Sequence, residues 1–167
     1  PTRAPAFFFV DIQPDQLDAF LARMAENPAV TETETAPMLR GVLTRINDRP
    51  AREVAGDHWV VRGDRGITYA ATPGPKTRIT AGTFWPEDYT GDPQISFAAE
   101  EAAEIGLHLG DRMTVNILGR DITATITSFR EVDFSNAGMG FVMTLNPSAL
   151  AGAPHTHIAT VYAPPEA

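Results

Sequence analysis

The chain has 167 residues, 43% hydrophobic and 8% aromatic, which suits one folded domain or two small subdomains and not a disordered tail. Its formal net charge is −8, with Lys and Arg scattered, which argues against nucleic acid as a partner and offers no patch for lipid headgroups. Cysteine is absent, which excludes thiolate metal sites, cysteine nucleophiles and disulfides, and no apolar run approaches the ~20 residues of a membrane-spanning helix.

Residues 6–12, "AFFFVDI", have the apolar and aromatic character of a strand, ended by Asp11 and Pro14. A helix follows at once. Pro14 suits its first position, and Asp15 and Asp18 favour its positive end. Leu17, Phe20, Leu21 and Met24 then form one apolar stripe facing a sheet, and Asn27-Pro28 stops the helix. The stretch 30–46 is extended, with Met38, Val42 and Ile46 on one side by period two. The first 47 residues thus predict a β-α-β unit.

From Asn47 to about Pro93, Gly, Pro, Asp and Arg punctuate short apolar pieces, which predicts short strands joined by turns with Trp59 and Trp85 as core anchors. "FAAEEAAEI" at 97–105 predicts a short helix stopped by Gly106. A hairpin comes next. Met113, Val115 and Ile117 alternate with polar residues, the turn lies at Gly119-Arg120, and Ile122, Ala124 and Ile126 alternate in turn. The loop "SNAGMG" leads to a strand, "FVMTL", then a turn at "NPSAL", then a strand over 157–163. "VYAPPE" at 161–166 lies over "VDIQPD" at 10–15, a short internal repeat that predicts a second helix and a further strand beyond Ala167. Pro1, with no initiator Met and no signal-peptide core, marks the start of an excised piece of a longer chain.

His155 and His157 share one strand face, as two zinc ligands would, but no third ligand lies near them in sequence, so they are expected to be structural imidazoles. His58 and His108 are isolated. Glu100, Glu101 and Glu104 cluster on the short helix. Glu100 and Glu104 are i, i+4 neighbours on its expected solvent face, an arrangement that does not converge for acid–base work. "GDRG" at 63–66 and "GDR" at 110–112 lack the spacing of a phosphate-binding loop and predict turns. Ser96, Ser128, Ser135 and Ser148 lack a nucleophile elbow. No catalytic residue, metal or cofactor is expected. Phe134, Met139 and Phe141 flank the Gly-rich loop: exposed, they would form a partner-contact site; buried, they belong to a core.

Several stretches carry a resemblance: "FFFVDIQPDQLDAF", "LRGVLTRIN", "WVVRGDRGITY", "AGTFWPEDY", "IGLHLGDRMTVNILGRDITATITSFREVDF" and "FVMTLNPSALAGAPHTHIATVYAPPEA". Over essentially the whole chain they resemble the first extracytoplasmic domain of FtsX/MacB-like ABC transporter permeases, in the YbbP-like branch of permeases linked to lysophospholipase. The resemblance implies an α+β fold. A porter-like β-α-β module, its second half truncated, would comprise 1–47 and 139–167, and a β-rich Sabre-like subdomain would be inserted at 48–138. It further implies a domain on the periplasmic side of a Gram-negative inner membrane, between transmembrane helices absent here. That domain would relay the motion of a cytoplasmic ATPase to a periplasmic protein, lipid or hydrophobic compound. It would not be an enzyme. The alternatives are a soluble periplasmic ligand-binding module, with Trp59 and Trp85 as a stacking platform, or a metal-dependent hydrolase.

Overall fold

The aromatic run near the start of the chain forms an edge strand. In the computed structural model, which describes residues 6–74, 77–132 and 140–163, the chain divides into two units. The first takes in the described residues up to Met38, Gly140 and those from Pro154 on; the second takes in Leu39–Val132 and Phe141–Ala153.

The first unit contains β1 (Ala6–Ile12), α1 (Leu17–Glu26), the start of β2 (Glu32–Ile46) and β10 (Thr156–Tyr162). β10 lies between β1 and β2 and is antiparallel to both, with Phe8 opposite Thr160 and Ala36 opposite Ile158. β1 and β2, joined through α1, therefore run parallel with the return strand between them, a split β-α-β arrangement. β10 is covered on both faces, so Ile158, Ala159, Thr160, Val161 and Tyr162 are all buried. This is why "IATVY" is a near-continuous apolar run without polar alternation. A 3-10 turn at Pro14–Gln16 opens α1, and the Gln13 N–H donates to Gln16 Oε1 at 3.0 Å. The apolar stripe of α1 is half-buried, and its Phe20 ring meets Phe9 of β1 edge-on at 5.1 Å. Asp11, with φ 56°, sits in a bulge between Phe9 and Ile12. Among the described residues β1 pairs only with β10, and Phe7 and Val10 are 57% and 56% exposed along it.

The second unit holds the rest of β2, then β3 (Arg49–Pro50), α2 (Ala51–Ala55), β4 (Arg65–Tyr69), β5 (Ile79–Gly82), β6 (Gln94–Ala98), α3 (Ala99–Ile105), β7 (Arg112–Ile117), β8 (Arg120–Arg130) and β9 (Met143–Leu145). β8 pairs parallel with β6 and antiparallel with β5 and β7. β9 pairs antiparallel with β6 and parallel with β4. Phe97, Leu43, Ile46, Ile67, Ile95, Met113, Ile126, Met143 and Leu145 fill the core. No described helix is long and apolar enough to cross a membrane.

Several expectations are corrected. The buried face of β2 carries Leu39, Gly41 and Leu43; Met38 and Val42 are not on it. A bulge between Leu43 and Arg45 then resets the alternation and brings Ile46 inward. α3 starts at Ala99, because Phe97 and Ala98 are the buried end of β6. α2 appears within the stretch expected to hold only strands and turns. The β7–β8 turn falls one residue early, at Leu118-Gly119. Both have positive φ, 51° and 86°, as a two-residue hairpin of the right twist requires. The hairpin's inward residues, Met113, Val115, Ile117, Ile122, Ala124 and Ile126, are buried as expected.

Two glycines separate backbone strain from crowding. Gly119 has φ +86° and open space around it; Gly82 has φ +76°, and a Cβ there would collide with the carbonyl oxygen of Thr127. Gly119→Ala should lower stability by about 1 kcal/mol, the left-handed penalty alone. Gly82→Ala should lower it clearly more, by urea unfolding of both variants. Equal losses would show that β5 yields without cost.

Candidate functional site

Three buried strands of the second unit carry polar side chains where apolar ones would be expected: Ser96 in "QISFA", Ser128 in "TITSFR" and Thr144 in "MTL". Register lines them up. Ser96 of β6 lies opposite Ser128 of β8 and Thr144 of β9, and Thr144 lies opposite Thr68 of β4. Ser128 Oγ donates to Ser96 Oγ at 2.8 Å, and Thr68 is buried as well. A line of hydroxyls thus crosses four strands. Each buried hydroxyl needs a partner, because leaving it bare costs about 1–3 kcal/mol.

Arg130 stands two residues beyond Ser128 and so on the same side of β8. It is only 6% exposed. Its Nη2 donates to the Phe141 carbonyl at 2.6 Å and to Thr144 Oγ1 at 2.7 Å. Its Nη1 is buried with no hydrogen-bond partner among the described residues. Burial pulls the guanidinium down to about 10, so it keeps its charge at neutral pH. That shift corresponds to about 3 kcal/mol against the charged form, which hydrogen bonds to two neutral oxygens offset in part. Among the described residues the cluster offers charged and hydroxyl donors, so it is suited to holding an acceptor.

The residues singled out from sequence have other surroundings. The His155 and His157 rings meet edge-on at 5.1 Å, and burial, then the neighbouring His155, hold His157 below the ordinary imidazole range. Among the described residues no three His, Asp or Glu side chains group as metal ligands. His58, expected to be isolated, caps the 3-10 turn Trp59–Val61: its Nδ1 accepts the Val60 N–H at 3.2 Å. The Nε2 of the neutral ring must then carry the proton, which it donates to Glu104 Oε1 at 2.7 Å. Glu101 is turned inward and 8% exposed, and burial pushes its carboxyl up. Trp85 is buried, its indole N–H donating to the Ala70 carbonyl at 2.9 Å; Trp59 packs against the core with the Arg65 guanidinium 5.2 Å over its ring. The two indoles therefore do not form an exposed stacking platform. Phe141 is 7% exposed, and Phe134 and Met139 lie outside the described residues.

Arg130 is the residue that sequence reasoning missed, and a signal existed. Ile122, Ala124, Ile126, Ser128 and Arg130 all occupy inward positions of one period-two strand. Following the alternation past Ile126 would have placed a serine and an arginine in the core.

Glu101 gives a pH test. Its folded carboxyl holds its proton to higher pH than the unfolded one, so stability falls as pH rises from the ordinary glutamate range through the raised value. Glu101→Gln should melt higher than the parent at pH 7, with the gap closing below about pH 4, where both carboxyls are neutral. A gap unchanged with pH would remove the titration from the account.

No family model matches the chain. The uncharacterized ABC transporter permease YbbP of Escherichia coli (strain K12) is 26% identical to it over 156 residues, which is 93% of this chain and 18% of that protein. The chain therefore spans less than a fifth of its relative's length. A solved domain of a protein assigned as a permease, from Porphyromonas gingivalis, matches with a TM-score of 0.49 and 15% identity, over 88% of this chain and 67% of that one. The chain is a relative of one segment of an ABC transporter permease, and the resemblance its residues carry holds along nearly its whole length.

Proposed function

We propose that the chain is the extracytoplasmic, periplasmic domain of an ABC transporter permease and works without catalysis. In this reading a cytoplasmic ATPase drives the membrane part of the parent protein. The domain passes that motion to a periplasmic protein, a lipid or a hydrophobic compound. The likeness to YbbP over 93% of the chain carries the proposal. The split order of β1, α1, β2 and β10 supports a porter-like module within 1–47 and 139–167, with a Sabre-like subdomain inserted at 48–138; residues 39–47 and 141–153 group with the second unit. Phe134 and Met139 are the proposed contact residues. Phe141 is covered in the chain by itself.

This chain has no cysteine of its own, and any cysteines elsewhere in the parent permease are first replaced by serine. Leu118, 74% exposed at the hairpin turn, is replaced by cysteine in the parent permease. Cells with a permeabilised outer membrane are treated with a membrane-impermeant maleimide. Labelling while the inner membrane is intact is the expected result. Labelling only after lysis would put the domain on the cytoplasmic side and end the proposal. Bifunctional crosslinking from the same cysteine, with an active and an ATPase-deficient partner, then tests the relay. A crosslink pattern identical in the two would rule out transmitted motion at this position.

A further inference from the structure

Arg130 is incompletely satisfied in a way that specifies what would complete it. Among the described residues both of its hydrogen bonds leave from one nitrogen, Nη2, and both end on neutral oxygens, the Phe141 carbonyl and the Thr144 hydroxyl. Nη1 has no acceptor among the described residues. Neither bond supplies a counter-charge. The adjacent acid, Glu131, is exposed and lies 3.6 Å from Arg78. A planar guanidinium with a free nitrogen is suited to an anionic oxygen, with which its bonds are short and strong. Thr144 accepts from Nη2 through its oxygen, so its own proton is left to donate beside the guanidinium. Ser96, opposite Thr144 in register, adds another hydroxyl to the same polar row. Arg130 is also the last residue of β8 and is followed directly by exposed Glu131.

We propose that Arg130, with the Thr144 hydroxyl beside it, is a receptor for a small oxyanion, a free phosphate or carboxylate, at the end of β8. The inference stands independently of the transporter reading, because it rests on donors in the second unit alone. The chain's net charge of −8 gives no long-range attraction for anions, so selectivity comes from the local donors.

The test is thermal unfolding of the 167-residue chain in inorganic phosphate, in acetate and in chloride at matched ionic strength. Phosphate or acetate should raise the midpoint saturably over chloride, by roughly 3–6 °C at a tenfold excess over its dissociation constant. Arg130→Met should abolish that rise, and Thr144→Val should weaken it. An equal rise in Arg130→Met would place the anion elsewhere and overturn the assignment. If Arg130→Met does not fold, the parent chain still decides: identical midpoints in all three salts overturn the proposal, as would a Thr144→Val variant that keeps the full rise.

Discussion

Strand β8 must satisfy three neighbours at once, and the second unit is arranged around that demand. It pairs with β5, β6 and β7, and its inward positions run without a break from Ile122 to Arg130. A strand with period two has no freedom to hide a misfit: a slip of one residue would send all five inward side chains to the other face. The Ser96–Ser128 hydrogen bond and the grip of Arg130 on Phe141 and Thr144 therefore select register more than they add stability. An apolar pair at 96 and 128 could slide; two hydroxyls that must meet at 2.8 Å cannot.

The first unit is specified differently. Its central strand, β10, comes from the far end of the chain and is buried on both faces. β1 and β2 do not pair with each other, and the strand that pairs with both lies more than 100 residues further along the chain. Such long-range closure makes formation slow and leaves "AFFFV" exposed until β10 docks. Even then β1 keeps an apolar outer edge among the described residues, where a charge or proline would blunt unwanted pairing.

Much of this was legible in the residues, for reasons that differ by element. The β7–β8 hairpin was legible because strict alternation survives burial, and β10 because a strand covered on both faces has to be continuously apolar. The β2 face was missed because a bulge is not encoded in hydrophobicity: after it, Ile46 shares a side with Leu43, against simple counting. α2 is only Ala51–Ala55 and shows less than two turns of periodicity. The acidic cluster was misplaced in part, since Glu101 faces inward and Glu104 is tied to His58 across a sequence distance no local pattern spans. Arg130 was passed over because a charged residue at a strand end resembles the start of a loop.

The chemistry that the second unit buries also bears on the kind of work it can do. Catalysis by acid and base requires two groups whose proton affinities are pushed apart within reach of one another. Here Glu101 of α3 and Arg130 of β8 are each shifted by burial. What the described residues show is a sheet threaded by a polar seam that fixes register and ends at Arg130, whose Nη1 has no acceptor among them.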